Sequence, residues 1–345
     1  MSTALSLSER YPTHQITLLE ASPTIPNPHG SSVDSSRIIR ADYAHPAYAR
    51  LAAAAIQKWR GSEWGHDGRY TENGLVLVYS EENSIAEKYT RDSYENVRRI
   101  EGDHRVQYLP GKAAVEEVVP RYAAGLTVAG GYINRGSGWG NAEAGVRFAR
   151  AQLEMKSNVV VRTGQVEKLV FADDLVTSAA LMDGSTITAG LVILATGAWT
   201  PQLIDLRGRA QATGQVLAYI PLTTDEQAQL AHMPTILSFA TGMFIIPPRD
   251  NELKIARHAF GYLNPKTVRL PGDQTMVEVS VPENDVPVPA EGQAACREAL
   301  REMLPTLAER PFSRTRICWY TDTCVSLFAQ TPPFLYHPSW PGPDD

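Results

Sequence analysis

The opening stretch, MSTALSLSERYPTHQITLLEASP, constrains the fold more than any other part of the sequence. Residues 2–10 predict a short helix, since Ala4, Leu5 and Leu7 supply an apolar face that no Gly or Pro interrupts. HQITLLE then predicts a strand that ends at Glu20. A helix, a strand and a terminal acid in this order are typical of a dinucleotide-binding unit in a doubly wound α/β fold.

The glycine turn that belongs to such a unit does not occur in the sequence. A G-x-G-x-x-G turn normally precedes the helix, about 20 residues before the acid, so that backbone approaches the pyrophosphate. Glu20 lies only nineteen positions after Met1. We therefore expect the first strand and its glycine turn to lie just upstream of the first residue.

The composition predicts a globular protein of two domains. The chain has 345 residues, and domains mostly contain about 100 to 200. No apolar run approaches the about 20 residues that a membrane span needs. The formal net charge is −6, without a basic block, which argues against a nucleic-acid partner. We expect a monomer that binds small molecules, without a nucleic-acid or membrane partner.

The cysteines predict a reducing compartment. Cys296, Cys318 and Cys324 are too few for a disulfide framework, and their spacing matches no zinc site, so no metal is expected. No secretory signal or peroxisomal address is visible in the sequence. We expect an intracellular protein, either cytoplasmic or peroxisomal.

Hydrophobic patterns predict most of the remaining elements. Helices are expected over 46–60, 84–101 and 291–303, and one is expected to start at Asn141, a good N-cap. GYINRGSGWG is interpreted as a glycine-rich loop before that helix. The AspGly of SAALMDGSTITAG predicts a hairpin turn. Strands are expected at GLVLVY, SNVVVRTG, QVEKLVF, GQVLAYI, GMFIIPP, ELKIARHAF, TMVEVSV and TRICWY.

LVILATGAW is apolar throughout and predicts a parallel strand that is buried on both faces. The order of segments predicts two interleaved domains, a parallel Rossmann-like sheet lacking its first strand and a mixed β-sheet domain. We assign residues 1–70, 137–212 and 316–345 to the nucleotide-binding domain. Residues 71–136 and 213–315 are assigned to the substrate domain.

Several residues are candidates for chemistry, each with a structural alternative. Glu20 suits ribose hydroxyls or is a solvated acid, and ThrGly after LVILA suits close approach of a cofactor or a tight turn. Arg37 and Arg40 in RIIR can clamp a carboxylate or form surface salt bridges.

Two later segments carry further candidates. If KIARH is a strand, Lys254 and His258 share one face, which lines either a wet pocket or the outside. Cys318 in RICWYT is either a small core residue or a functional thiolate.

Together these segments resemble the flavin amine oxidases of the monomeric sarcosine oxidase family, which includes pipecolate oxidase, fungal saccharopine oxidase and the fructosyl amino acid oxidases. The resemblance runs from Ser2 to about Thr323. RIIR, LATGAW, KxxxH and CWYT in this order are jointly specific. RIIR is typical of the sarcosine, pipecolate and saccharopine branch, which implies a secondary amino acid as substrate.

The resemblance implies a role for each candidate. FAD would be bound by Glu20, Ser36, Arg37, Val166, Thr196 and Gly197, and attached covalently through Cys318. Arg40 would hold the substrate carboxylate, with His258 and Tyr320 in the pocket. Lys254 would be the cation that helps reduced flavin pass electrons to dioxygen. Arg37, Arg40, Lys254 and Cys318 are therefore expected around one site.

We hypothesise an FAD-dependent oxidase of secondary amino acids that uses dioxygen and releases hydrogen peroxide. The family's closing loop, with GlyHis and a Lys, does not follow CWYTDT, so a catalytically silent shortened member is the alternative. A fructosyl amino acid oxidase is a second alternative. A nicotinamide-dependent dehydrogenase would leave Cys318 and KIARH unexplained.

Overall fold

The computed structural model describes residues 1–121, 125–173, 175–259, 261–270 and 276–323. Within these ranges the α-helices are α1 (Ser2–Arg10), α2 (Pro46–Gly61), α3 (Ser84–Glu101), α4 (Lys112–Val118), α5 (Ala142–Glu154), α6 (Thr224–Leu230) and α7 (Ala290–Met303). Short 3₁₀ helices span Glu63–Gly65, Gly197–Gln202 and Pro305–Leu307. The helices predicted over 2–10, 46–60, 84–101 and 291–303 are confirmed.

Strands make up five sheets of the described chain. The strands are β1 (Ile16–Glu20), β2 (Arg37–Ile39), β3 (Tyr70–Thr71), β4 (Leu75–Tyr79), β5 (Val106–Leu109), β6 (Gly130–Asn134), β7 (Gly138–Gly140), β8 (Val159–Thr163), β9 (Val166–Ala172), β10 (Leu175–Leu181), β11 (Thr186–Thr188), β12 (Ala210–Pro221), β13 (Thr235–Ser238), β14 (Met243–Arg249), β15 (Glu252–Arg257), β16 (Pro265–Arg269), β17 (Met276–Ser280) and β18 (Arg314–Thr323).

The opening helix and strand belong to a parallel βα unit. β1 pairs in parallel with β8, from Ile16 opposite Val159 to Glu20 opposite Thr163. α1 contacts β1 and α5, and α5 contacts β8, so both helices cover this pair of strands. Asn141 caps α5 by accepting a hydrogen bond from the Ala144 amide, as predicted. The predicted parallel sheet is confirmed.

An eight-stranded mixed sheet forms the largest part of the molecule. Its order is β18-β12-β15-β14-β13-β4-β6-β5, with β13 and β4 parallel and the other neighbours antiparallel. Along β12, Val216 and Ala218 face a core that includes Cys296 and Leu300 of α7. Tyr219 faces the opposite core, together with Cys318 of β18. The period of two along β12 therefore places Cys318 on the face away from α7.

The predicted domain division stays a prediction, although the sheets show how its segments meet. β18 pairs with β12 along its whole length, from Arg314 opposite Tyr219 to Thr323 opposite Ala210. The last strand of the described chain is therefore an edge of the mixed sheet. The residues after 323, including Cys324 and FLYHPSWPG, lie outside the described residues.

The prediction of a buried strand at LVILATGAW is wrong. Residues 191–196 form no regular structure, and Leu191 is 74% exposed while Ile193 is 50% exposed. A buried parallel strand needs hydrogen-bonded neighbours, and in the described chain this segment pairs with no strand. In the order typical of a doubly wound sheet, strand 1 lies between strands 2 and 4. Among the described residues β1 and β8 pair only with each other, so the hydrophobic pattern of LVILATGAW did not by itself produce a paired strand.

The interpretation of GYINRGSGWG as a loop is also wrong. Its residues form β6 and β7, which pair with β4 and β2. A Cβ atom at Gly131 would lie 2.2 Å from the Leu77 carbonyl oxygen, and one at Gly138 would lie 2.0 Å from the Thr71 carbonyl oxygen. These glycines therefore allow close approach of backbones within sheets rather than marking a turn.

The other predicted elements follow the pattern closely. β10 and β11 form the predicted hairpin, with Gly184 at φ +82° in its turn. GLVLVY forms β4, which is buried throughout.

No helix of the described residues is long and apolar enough to cross a membrane. The same residues contain no group of His, Cys, Asp and Glu side chains that would hold a metal ion.

Candidate active site

A buried cluster joins three of the predicted site residues. Arg37 at the start of β2 donates from one terminal guanidinium nitrogen to the Cys318 sulfur at 3.2 Å and from the other to Asp34 Oδ2 at 2.7 Å. Lys254 of β15 donates to the same Asp34 oxygen at 2.6 Å. Cys318 is fully buried, and Lys254 is 3% exposed. Strands at the beginning, middle and end of the described chain thus bring Arg37, Lys254 and Cys318 together.

Asp34 and Tyr219 complete this cluster, and the sequence reasoning missed both. The Tyr219 hydroxyl donates to Asp34 Oδ1 at 2.8 Å. Burial alone would raise the pKa of Asp34, but Lys254 and Arg37 outweigh it and hold that pKa below its ordinary value. In the sequence, Asp34 lies three positions before Arg37 in GSSVDSSRIIR. This spacing could have predicted an ion pair between the two side chains, but not that the pair would be part of a buried cluster.

Lys254 is buried and has two charged neighbours of opposite sign, Arg37 and Asp34. Burial and, after it, the charge of Arg37 lower the pKa of Lys254 to about 7, although Asp34 acts in the opposite direction. The ammonium also donates to the Ser36 carbonyl oxygen at 2.7 Å. Lys254 therefore lies on the inner face of the mixed sheet, which answers the question that KIARH left open.

A second cluster surrounds Arg40. The Arg40 guanidinium donates to the Asp42 carbonyl oxygen and lies 4.5 Å from the centre of the Tyr43 ring. Burial, followed by the charge of Arg40, lowers the pKa of His258 to about 4, so His258 is neutral near pH 7. The rings of His258 and Tyr320 lie 6.0 Å apart. His258 follows directly after β15, so Lys254 and His258 belong to adjoining clusters.

Asp42 anchors the segment that carries Arg40. Its buried carboxylate accepts hydrogen bonds from Tyr132 Oη at 2.8 Å, Asn134 Nδ2 at 3.1 Å and Ser137 Oγ at 2.6 Å. Burial raises the pKa of Asp42 despite these donors. These bonds tie the end of RIIRAD to β6, which fixes the backbone that positions Arg40.

Tyr320 connects the two clusters. It lies on β18 two residues after Cys318, so the two side chains share a face of the strand. Burial raises the pKa of Tyr320 to about 12, and the nearby positive charge of Arg37 opposes this change. Arg37, Arg40, Lys254 and Cys318 thus form two adjoining clusters that meet at Tyr320.

The remaining predicted residues lie on the α/β part of the chain. Glu20 ends β1 and accepts hydrogen bonds from the Ser22 amide at 2.9 Å and Asn27 Nδ2 at 2.8 Å. Val166 begins β9, shortly after the end of β8. Glu20 and Val166 are therefore both near the carboxyl ends of the parallel strands.

Thr196 and Gly197 form the start of a 3₁₀ helix that contacts β12 and β18. Gly197 has φ +52°, and a Cβ atom there would meet no protein atom within 4 Å. The open space beside this glycine leaves room for a group to approach its backbone.

A cavity of about 1210 Å³ borders the same loop that carries Asp34. Arg37, Arg40, Lys254 and Cys318 are not among the residues that line it. Its walls come from the loop before β2, α5, β8 and the ends of β14 and β18, and include Val33, Asp34, Ser35, Arg147, Arg150, Val160, Arg249, Arg314 and Arg316.

The parallel βα unit and the adjoining mixed sheet define a two-domain α/β oxidoreductase of the flavin-dependent class. The family described as DAO, FAD dependent oxidoreductase, matches residues 1–337. The chain belongs to this family, and the family suggested by the sequence is confirmed.

Curated relatives and solved structures agree with this assignment. The amino acid oxidase imqH of Aspergillus flavus is 29% identical, with 98% of this chain and 83% of that protein covered. L-saccharopine oxidase of Schizosaccharomyces pombe is 25% identical, with 94% and 77% covered. The crystal structure of fructosamine oxidase (Amadoriase II) from Aspergillus fumigatus, in complex with FSA, superimposes with a TM-score of 0.79 at 26% identity, covering 94% of this chain and 74% of that one.

Proposed function

We propose that the chain is an FAD-dependent oxidase of secondary amino acids that converts the C–N bond beside the carboxylate to an imine and reduces dioxygen to hydrogen peroxide. The observation that carries this proposal is the buried contact of Arg37 with Cys318, joined through Asp34 to Lys254. When bound, FAD would supply the redox chemistry by accepting a hydride from the amine and passing electrons to dioxygen.

The residues present suit FAD at two separate places. Glu20 at the carboxyl end of a parallel strand is suited to ribose hydroxyls, and Gly197 offers open backbone with a positive φ. Ser36, Val166 and Thr196 would contribute further contacts. Cys318 would provide the covalent attachment, because its sulfur lies 3.2 Å from Arg37 inside the cluster that also holds Lys254.

Arg40 would bind the substrate carboxylate. The half-buried guanidinium provides a permanently charged fork that matches a carboxylate, and the Asp42 carbonyl oxygen holds it in place. His258 is neutral near pH 7 and therefore would line the pocket without repelling the substrate ammonium. Tyr320 would form the adjoining wall. Together these groups would orient a neutral amine for oxidation.

Lys254 would stabilise negative charge that develops on dioxygen. A preorganised ammonium at a buried site stabilises such charge far more than one in water. Its contacts with Asp34 and Ser36 restrict its position. This role predicts that Lys254→Met slows the oxygen half-reaction more than the amine half-reaction.

A catalytically silent chain is the second candidate, and the exposure of Leu191 and Ile193 favours it. In a complete parallel sheet such apolar side chains are buried and hold the strands of the cofactor-binding domain together. In a silent chain the buried clusters would only stabilise the mixed sheet.

The two candidates are separated by expressing the whole chain, adding FAD and recording visible absorption before and after acid precipitation. The oxidase is expected to give a yellow pellet and peroxide with sarcosine, pipecolate, saccharopine or an N-methyl amino acid. A fructosyl amino acid, a primary amino acid and a reaction without substrate serve as comparisons. A folded protein that binds no FAD and forms no peroxide would reject the oxidase.

A further inference from the structure

The carboxylate of Asp34 is the shared partner of two cations, the buried Lys254 and the partly exposed Arg37. Its side chain is 1% exposed. Oδ2 lies 2.6 Å from Lys254 Nζ and 2.7 Å from an Arg37 terminal nitrogen, while Oδ1 accepts from Tyr219 Oη at 2.8 Å. The Ser35 amide also donates to Oδ1 at 2.7 Å. The Ser35 hydroxyl donates to Oδ1 as well, at 3.3 Å, so one acid accepts from five donors in the loop and in three strands.

The register of the mixed sheet presents Lys254 and Tyr219 to this acid. Tyr219 of β12 lies opposite Lys254 of β15, so the two side chains are on one face of neighbouring strands. Lys254 also donates to the Ser36 carbonyl oxygen at 2.7 Å. The loop before β2 is thus held on the sheet at both Asp34 and Ser36, directly before Arg37.

Charge balance explains what the acid does here. Arg37 and Lys254 bond to one oxygen atom, so their like charges lie close together in a site with little water. Arg37 remains protonated in proteins, whereas a buried lysine loses its proton readily. Removing the carboxylate would therefore remove the proton from Lys254 rather than from Arg37.

The other titratable groups around Lys254 do not replace this carboxylate. Besides Asp34 and Arg37, the groups that face it are Tyr219 on β12 and Cys318 with its neighbour Tyr320 on β18. Arg314 on β18 lies 3.5 Å from the centre of the Tyr219 ring and adds a further positive charge. Among these groups Asp34 alone is a carboxylic acid.

We propose that Asp34 is a positioning residue that keeps the Lys254 ammonium charged and fixed beside Arg37 and Cys318. This inference rests on the proposed function for its catalytic meaning, since Lys254 is the cation assigned to dioxygen. Asp34 acts through Lys254 and Arg37 and needs no contact with substrate or cofactor. It deepens the proposed function by adding an acid that the sequence reasoning did not single out.

The protonation state of Lys254 can be measured without FAD. The chain has seven lysines, so ¹³Cε lysine signals are few, and the signal absent in Lys254→Met identifies position 254. Asp34→Asn keeps the shape of the side chain and removes its charge. Because an opposite charge at this range raises the pKa of a lysine by about 1 to 3 pH units, the Lys254 signal should titrate lower by that amount in Asp34→Asn.

Two matched variants separate charge from geometry. Tyr219→Phe removes one hydrogen bond to Asp34 without changing its charge, so its Lys254 signal should move much less. Asp34→Glu keeps the charge and should titrate close to the unsubstituted protein. A Lys254 midpoint that is unchanged in Asp34→Asn, or that falls equally in Asp34→Glu, would overturn the proposal.

The kinetic consequence is tested in the FAD-loaded protein. Asp34→Asn should slow flavin reoxidation by dioxygen at least tenfold at pH 7 and flavin reduction by less, and it should add little in a Lys254→Met background. If Asp34→Asn slows reoxidation by the same factor in the Lys254→Met background as in the unsubstituted protein, the proposal is overturned. If Asp34→Asn does not fold, Asp34→Asn with Lys254→Met should restore folding, and failure of that rescue would also overturn it.

The proposed function can fail while this inference stands. A chain without flavin or peroxide would reject the oxidase, yet the lysine titration would still report whether Asp34 holds the proton on Lys254. An active oxidase with an unchanged lysine midpoint would reject this inference alone.

Discussion

The Arg37 guanidinium lies 3.2 Å from the sulfur of Cys318, although 281 positions separate the two residues in the sequence. Cys318 faces the core on the side of the mixed sheet away from α7. An ordinary core thiol has apolar neighbours, whereas the Cys318 sulfur accepts a hydrogen bond from a guanidinium. This contact therefore distinguishes Cys318 from an ordinary core cysteine.

Cys318→Ser should abolish covalent attachment of FAD while the chain still folds. The sulfur is required for a thioether, and serine preserves the size of the side chain. We expect acid precipitation to leave a colourless pellet and a yellow supernatant, read by visible absorption of both fractions.

Cys296→Ser is the matched control. Cys296 is also buried, but burial raises the pKa of its thiol to about 12, so it is unreactive near pH 7. Its pellet should stay yellow. A yellow Cys318→Ser pellet would show that attachment, if present, uses another residue.

Arg40→Met should weaken binding of the amino-acid carboxylate. A hydrogen bond to a charged group contributes about 1.5 to 3 kcal/mol, so KM for the substrate should rise about 10- to 150-fold. Steady-state peroxide release measures this change. Arg98→Met removes an exposed arginine that pairs with Glu95 on α3, and its KM should equal that of the unsubstituted protein. Equal KM values for both variants would refute the assignment of Arg40.

His258 should make the fold sensitive to acid. Its pKa in the folded chain is about 4, below the ordinary value of about 6.5. Between these values the unfolded chain binds a proton that the folded chain does not, so the free energy of unfolding falls as pH decreases from 6.5 to 4. The slope from this group is at most about 1.4 kcal/mol per pH unit.

His258→Asn should therefore flatten the dependence of stability on pH across that window. Denaturant unfolding at several pH values from 4.5 to about 7 measures the slope. His66→Asn, which replaces an exposed histidine, is the control and should retain the original slope. Parallel profiles for both variants would contradict the position given to His258.

Hydrophobic periodicity predicted α1, α3, β4 and β15, because the spacing of apolar residues in each segment fits either a helix or a strand but not both. It failed for GYINRGSGWG, since glycines serve both turns and close backbone contacts. The Gly131 and Gly138 positions show the second use, which depends on strands distant in sequence. Local composition cannot specify such neighbours.

Some residues of the candidate site could likewise be predicted from the sequence, and others could not. Arg37, Arg40, Lys254 and Cys318 were candidates from their residue types and spacing, and the family resemblance then assigned them to one site. Asp34 was missed because its partner Lys254 is 220 positions away, and the pairing depends on the register of β12 with β15. A buried acid is recognisable only after the cations around it are placed.

Leu191→Ala tests the exposed position of the LVILAT segment. Leu191 is 74% exposed, so this substitution should change the free energy of unfolding by less than about 0.5 kcal/mol. Leu77→Ala is the matched comparison, because Leu77 in β4 is fully buried and the same change there should cost about 2 to 5 kcal/mol. Denaturant unfolding of both variants without FAD measures the difference. A cost of 2 kcal/mol or more at Leu191 would mean that this segment packs as a buried strand, as its sequence alone predicted.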